Sequence, residues 1–264
     1  VPPWVRTPII SRRDMSHFET IIYRKQAAIA YVILNRPQVL NVYNVRMRDE
    51  LSEALSAIRD DPEVKAVIFH GAGDRAFCAG ADLNDFLTAP PPVFARLARW
   101  RRDLWGLFLS LPQPLIAALY GFVLGSGLEI ALCCDLRIAA EDAQFGLPET
   151  GLGFIPAAGA TQTLPRAIGR APALHMLLTG DFLDAPQAQR LGLVNRVVPR
   201  AQLLPAAERL AQHILSLPEP SVRAAKEAVK RGMGLSLAQA LDLEKRLGLG
   251  LIMMKGDISV AKGQ

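Results

Sequence analysis

The alternation of apolar and polar positions places the start of the folded part of the chain near Phe18. Phe18 to Lys25 and Ala27 to Leu34 are short runs, dominated by apolar and β-branched residues, on either side of a turn, which predicts two strands. Asn44 to Asp60 then carries apolar residues at Val45, Leu51, Ala54, Leu55 and Ile58, the spacing of an amphipathic helix, and Asp61-Pro62 ends it. Lys65 to His70 predicts a buried strand; a glycine-rich turn follows, and Cys78 to Leu83 opens a second helix. Thr88 to Pro92 reads as a stiff loop, with a helix after it to about Leu111. The pattern recurs as a strand at Leu115 to Leu119, a loop at Gly121 to Gly127, a helix at Leu128 to Cys134 and a strand at Leu136 to Ala139. From Ala157 onward nearly every segment has helical spacing, Val194 to Val198 excepted. Short strands alternating with helices, then a helical tail, predict an α/β core followed by a helical C-terminal region.

Composition narrows the class without naming a function. The 264 residues, 50% of them hydrophobic, suffice for one large domain, alone or with a smaller appendage. Charged residues at 21% and a mean hydropathy of +0.19 exclude wholesale disorder. A net charge of +5 suits a polyanionic ligand such as a nucleotide-bearing molecule, and is too weak to predict nucleic acid. Cys78, Cys133 and Cys134 lie in apolar stretches and form no disulfide framework, so a reducing, cytoplasmic compartment is expected. Four scattered histidines (His17, His70, His175 and His213) give no pair at metal-ligand spacing. The uncharged run after Leu104 is broken by Pro112-Gln113-Pro114 and ended by Glu129, too short for a membrane span of about 20 residues. Val1 to Arg13 bears arginines and no acid, which fits a mitochondrial transit remnant, a vector extension or residues upstream of a start at Met15, and it lacks a secretory h-region.

Candidate chemistry concentrates at two glycine turns before helices. In Ala79-Gly80-Ala81-Asp82-Leu83, Gly80 permits torsions other residues resist; in Leu124-Gly125-Ser126-Gly127-Leu128-Glu129, two glycines flank Ser126. Backbone N–H groups at a helix start lack intrahelical partners and sit in a partly positive field. Two such donors, from Ala81 and Ser126, can converge on one oxygen as an oxyanion hole, in which one donor is typically worth about 3 kcal/mol of transition-state stabilisation. Ordinary helix-start turns are the commoner explanation of either motif alone. Neither motif fits a dinucleotide fingerprint or a phosphate loop, and Leu124 and Leu128 stand where a nucleophile elbow around Ser126 needs glycine. Glu129 lies in an otherwise apolar helix, where a buried carboxylate is costly unless it is paired or used; Arg137 is the candidate ion-pair partner. Glu149, in Phe145-Gly-Leu-Pro-Glu-Thr-Gly151, reads by itself as a loop acid or helix cap. The pair has the composition needed to add water to a conjugated thioester, one group activating water and the other delivering a proton to the α-carbon.

At these residues the chain resembles the crotonase (enoyl-CoA hydratase/isomerase) family, from about Phe18 to Leu247. The matching segments are Leu34-Asn-Arg-Pro37, Phe77 to Leu83, Gly121 to Asp135, Gln144 to Glu149, Gly159 to Gln162, Leu191 to Val197 and Ala225 to Ala228. The resemblance implies a spiral of ββα units over 18–199, after an N-terminal extension at 1–17, with a helical trimerisation region over 200–264 and a homotrimer or hexamer as the assembly. It implies enoyl-CoA hydratase activity, with Glu129 activating water, Glu149 protonating C2, and the Ala81 and Ser126 N–H groups forming the oxyanion hole. Gln38, Val39 and Leu40, with Ala79, Asp82, Leu83, Asn84 and Gly125, would line the CoA and thioester channel; no cofactor or metal is needed, coenzyme A being part of the substrate. Four departures stand out: Ser126 where glycine is usual, Val42-Tyr43 in place of Ala-Leu, Ala157 and Ala160 in place of glycines, and an end at Gln264 without the usual tail. Double-bond isomerisation, thioester hydrolysis or ring-forming condensation stay open on the same fold. An RNA-binding role based on the Arg96 to Arg102 cluster is disfavoured, because only Trp100 is available there for stacking.

Overall fold

The computed structural model describes residues 17–87 and 103–261. The expected Thr88 to Pro92 loop, the first part of the helix after it and the Arg96 to Arg102 cluster lie outside those residues, as does most of the N-terminal extension.

The first two strands, β1 (Ile21–Gln26) and β2 (Ile29–Leu34), form an antiparallel hairpin that turns at Ala27, φ 50°. β2 then pairs in parallel with β3 (Ala66–Gly71), which leads to β5 (Leu115–Leu119), β7 (Leu136–Ala140) and β10 (Arg196–Val198) in a six-stranded sheet ordered β1-β2-β3-β5-β7-β10. Every residue of β2 and β5 is buried, as continuous apolar runs require when both faces of a parallel sheet are covered. Alternate residues serve different cores: Ala30, Val32 and Leu34 join the larger one, while Ile29, Tyr31 and Ile33 pack with Ala206, Ala207 and Ala211 of a helix on the other face.

A second, four-stranded sheet has the order β4 (Ala76–Cys78), β6 (Phe122–Leu124), β8 (Gln144–Gly146), β9 (Leu183–Asp184). These strands correct two expectations. Residues 76–78 are extended, with the helix beginning only at Leu83, and the segment read as a loop at Gly121 to Gly127 contains β6. Each has two or three residues, too few to show a period of two, and is held by long-range pairing such as Phe122 with Gln144.

The described helices are α1 (Val45–Asp60), α2 (Leu83–Leu87), α3 (Leu104–Ser110), α4 (Ser126–Cys133), α5 (Ala160–Ile168), α6 (Arg170–Thr179), α7 (Ala185–Arg190), α8 (Leu203–Leu215), α9 (Glu219–Gly232) and α10 (Leu237–Ala261). The Asn44 side chain caps α1 by accepting from the Met47 N–H at 2.8 Å, and Asp61 turns extended ahead of Pro62. Val45 is exposed; Met47 takes its expected place in the buried stripe with Leu51, Ala54, Leu55 and Ile58. α4 starts at Ser126, two residues earlier than its apolar run suggested. α9 and α10 pack on each other, and α9 has no buried residue. Among the described residues no helix is long and apolar enough to cross a membrane.

Candidate active site

The site forms where the two glycine turns touch. Gly80 has φ +120° and Gly125 φ +48°, both in the region that penalises a side chain. A Cβ on Gly125 would lie 3.4 Å from the Gly80 Cα, so the two glycine turns are in contact. Ala81 forms a parallel bridge with Tyr43, in which Tyr43 donates its N–H to the Gly80 carbonyl and accepts from the Asp82 N–H, both at 2.8 Å. Ladder geometry then directs the Ala81 N–H out of the opposite edge, away from Tyr43. Ser126 is the first residue of α4, where an N–H has no intrahelical acceptor.

Glu149 reaches the same point. It sits in a single 3-10 turn, Pro148–Leu152, anchored by the Thr150 hydroxyl donating to the Leu177 carbonyl at 2.9 Å. Its Oε1 lies 2.9 Å from the position of a Gly125 Cβ, and its Oε2 is buried with no hydrogen-bond partner. Burial raises the Glu149 pKa, and the charge of Glu129 raises it further against one backbone hydrogen bond.

Glu129, 3% exposed, is in the first turn of α4. Its Oε1 accepts from the Ala158 N–H at 2.9 Å and the Ala160 N–H at 3.2 Å, so the carboxylate caps the start of α5. Arg137 is not its ion-pair partner: that guanidinium donates to the carbonyls of Leu193, Ala131 and Cys134. Among the described residues no histidine hydrogen-bonds Ser126, and no group of three His, Cys, Asp or Glu side chains is placed to hold a metal.

Of the expected channel residues, Ala79 donates to the Leu40 carbonyl at 3.0 Å, joining the 38–40 and 79–84 segments. Gln38, Val39, Leu83 and Asn84 are exposed along this rim. Asp82 is committed locally: it pairs with Arg36 at 3.0 Å, which lowers its pKa, and accepts from the Asn84 N–H. Two residues escaped the sequence reading as site scaffolding. Asn41, fully buried at φ 55°, accepts from the Arg36 N–H and donates to the carbonyls of Ala72 and Ala76, locking the rim to β4. Arg36 also donates to the Val42 carbonyl. An amide set among apolar residues at 39–43 was the available signal for Asn41.

A carboxyl group with a buried, unpartnered oxygen at the contact of two glycine turns, with a second carboxylate acting on it, is a site for acid/base chemistry, and sequence comparison gives the class: the enoyl-CoA hydratase/isomerase family profile matches residues 24–255, and the chain belongs to that family. A crotonyl-CoA hydratase of Syntrophomonas wolfei subsp. wolfei is 39% identical over 86% of this chain and 87% of its own length. An (E)-benzylidenesuccinyl-CoA hydratase of Thauera aromatica is also 39% identical, over 81% and 83%. The crystal structure of an enoyl-CoA hydratase from Bacillus anthracis superposes with a TM-score of 0.85 at 36% identity, covering 93% of this chain and 97% of that one. The fold is thus the crotonase fold, a mixed α/β core followed by C-terminal helices.

Proposed function

We propose that the chain is an enoyl-CoA hydratase, adding water across the 2,3 double bond of a 2-enoyl-CoA. The observation that carries this reading is the approach of Glu149, with its unpartnered buried oxygen, to the contact between Gly80 and Gly125. The thioester oxygen accepts hydrogen bonds from the Ala81 and Ser126 N–H groups, which stabilise the enolate as charge develops on it. Glu129 activates water for attack at C3; its anchored Oε1 fixes the carboxylate so that orientation costs nothing during the reaction. Glu149, whose raised pKa favours the protonated form, delivers the proton to C2. The rim at Gln38, Val39, Leu40, Ala79, Asp82, Leu83 and Asn84, with Gly125, takes the coenzyme A portion, largely through backbone groups. Coenzyme A arrives as part of the substrate, and the chemistry requires no other cofactor.

The test is hydration of crotonyl-CoA, followed as loss of the conjugated-thioester absorbance and as a mass gain of one water, which isomerisation does not give. Glu129→Gln and Glu149→Gln should each lower kcat by about 100-fold or more; a variant at full rate would remove that residue from the mechanism. Three buried free thiols support a reducing, cytoplasmic setting. The exposed apolar residues of α9 and α10, among them Val229, Leu237 and Ile252, support self-association through 200–264 as a homotrimer or hexamer.

A further inference from the structure

Tyr43 is bridged to Ala81 at the edge of the site and stands where the family resemblance leads one to expect leucine. Its N–H and C=O are both committed to the bridge with residues 80–82, so the backbone beneath the ring is fixed. Partners in a parallel bridge send their side chains to the same face, which puts the Tyr43 ring beside the Cβ of Ala81. The charge of Glu129 acts on its hydroxyl, and burial is the main cause that keeps the phenol neutral. Among the described residues that hydroxyl makes no hydrogen bond.

Behind the ring runs a chain of aromatic contacts. Tyr43 packs on Trp105 with centroids 6.0 Å apart, Trp105 stacks on Phe108 at 6.2 Å, and Phe108 meets Phe69 at 5.3 Å. Phe108 and Phe69 are fully buried, so the stack runs from Tyr43 into the core. Swinging Tyr43 aside would push an aromatic side chain into a close-packed interior.

We propose that Tyr43, braced by Trp105, is the specificity-determining residue that ends the acyl pocket and restricts the enzyme to short acyl groups such as crotonyl. The inference rests on the acyl-CoA reading above, and its test reads binding so that the two can fail separately. Butyryl-CoA and decanoyl-CoA lack the reactive double bond; their Kd values, measured by calorimetry, report pocket length without turnover. The wild-type protein should bind butyryl-CoA at least about tenfold more tightly than decanoyl-CoA, since a rigid wall rejects the longer chain. Tyr43→Ala should shift that ratio toward decanoyl-CoA by about tenfold or more, with Tyr43→Leu intermediate and Tyr43→Phe unchanged because it keeps the ring. Equal binding of both ligands by the wild-type protein would overturn the proposal, as would an unchanged ratio in a folded Tyr43→Ala or Tyr43→Leu variant. A ratio lost in Tyr43→Phe would overturn it too, by assigning the selection to the hydroxyl. Binding of neither acyl-CoA would instead refute the acyl-CoA reading, and the wall with it.

Discussion

Glu129 is held by the amides that begin the helix after it, so its substitution has two separable consequences. Glu129→Ala leaves the buried Ala160 N–H and the half-buried Ala158 N–H without their acceptor and should cost about 1–3 kcal/mol in urea unfolding. Glu129→Gln keeps a carbonyl oxygen where Oε1 stands, so it should lose the hydration rate with a smaller loss of stability; equal destabilisation by both variants would show that the cap contributes nothing. Glu149 behaves oppositely. Its folded-state pKa is raised, so the folded state holds more protons than the unfolded chain above the ordinary carboxylate range. Its contribution is therefore fully present below the unfolded value and lost as pH rises through the folded one. Glu149→Gln, which has no charge to bury, should gain stability relative to the wild type as pH climbs from acid toward neutral. A difference between the two proteins that does not change with pH would refute the burial argument.

At the scale of elements, α4 is fixed at both ends, and its far end depends on charge. Asp135, just past α4, accepts from the Leu115 N–H at 2.8 Å and pairs with Lys226 of α9 at 2.7 Å and Lys230 at 3.1 Å. Asp135→Ala strands two lysines beside the core and should cost about 3 kcal/mol, measured by denaturant unfolding; a loss within experimental error would make the cluster a spectator. Burial lowers the Lys226 pKa to about 8, so this lysine's own contribution is lost as pH falls through that value and grows above it. The elements legible in the sequence were those long enough to display a period or an unbroken apolar run. β2, β3 and β5 are continuous apolar runs, and α1 carries both a stripe and an Asn44 cap. β4, β6, β8 and β9 were not legible, because pairing across the fold, rather than local alternation, makes them strands. The site divided in the same way. Glu129 was conspicuous as one carboxylate in an apolar helix, yet the two amides that anchor it lie 29 and 31 residues away and carry no local signature. Asn41 and Tyr43 work through contacts with Ala76, Ala81 and Trp105 that only the folded chain brings together.

For the whole molecule, the C-terminal hairpin carries a group of exposed apolar residues that an assembly would cover. α9 buries none of its residues within the chain, while Val229, Met233, Leu237, Leu241 and Ile252 are all exposed over α9, α10 and the turn between them. A stable protein interface removes about 1,600 Å² from water, and the apolar residues exposed on these two helices can contribute to one. Leu237 is 76% exposed, so in a monomer Leu237→Asp would change stability by only about 0.5 kcal/mol. In an assembly closed through this face, the same change buries a charge at the interface and should shift the protein to smaller species in light scattering. The wild-type Tm should then rise with protein concentration, by mass action, and the variant's should not. A wild-type protein that is monomeric at micromolar concentration, or a Leu237→Asp variant of unchanged size, would mean that the exposed face closes no assembly.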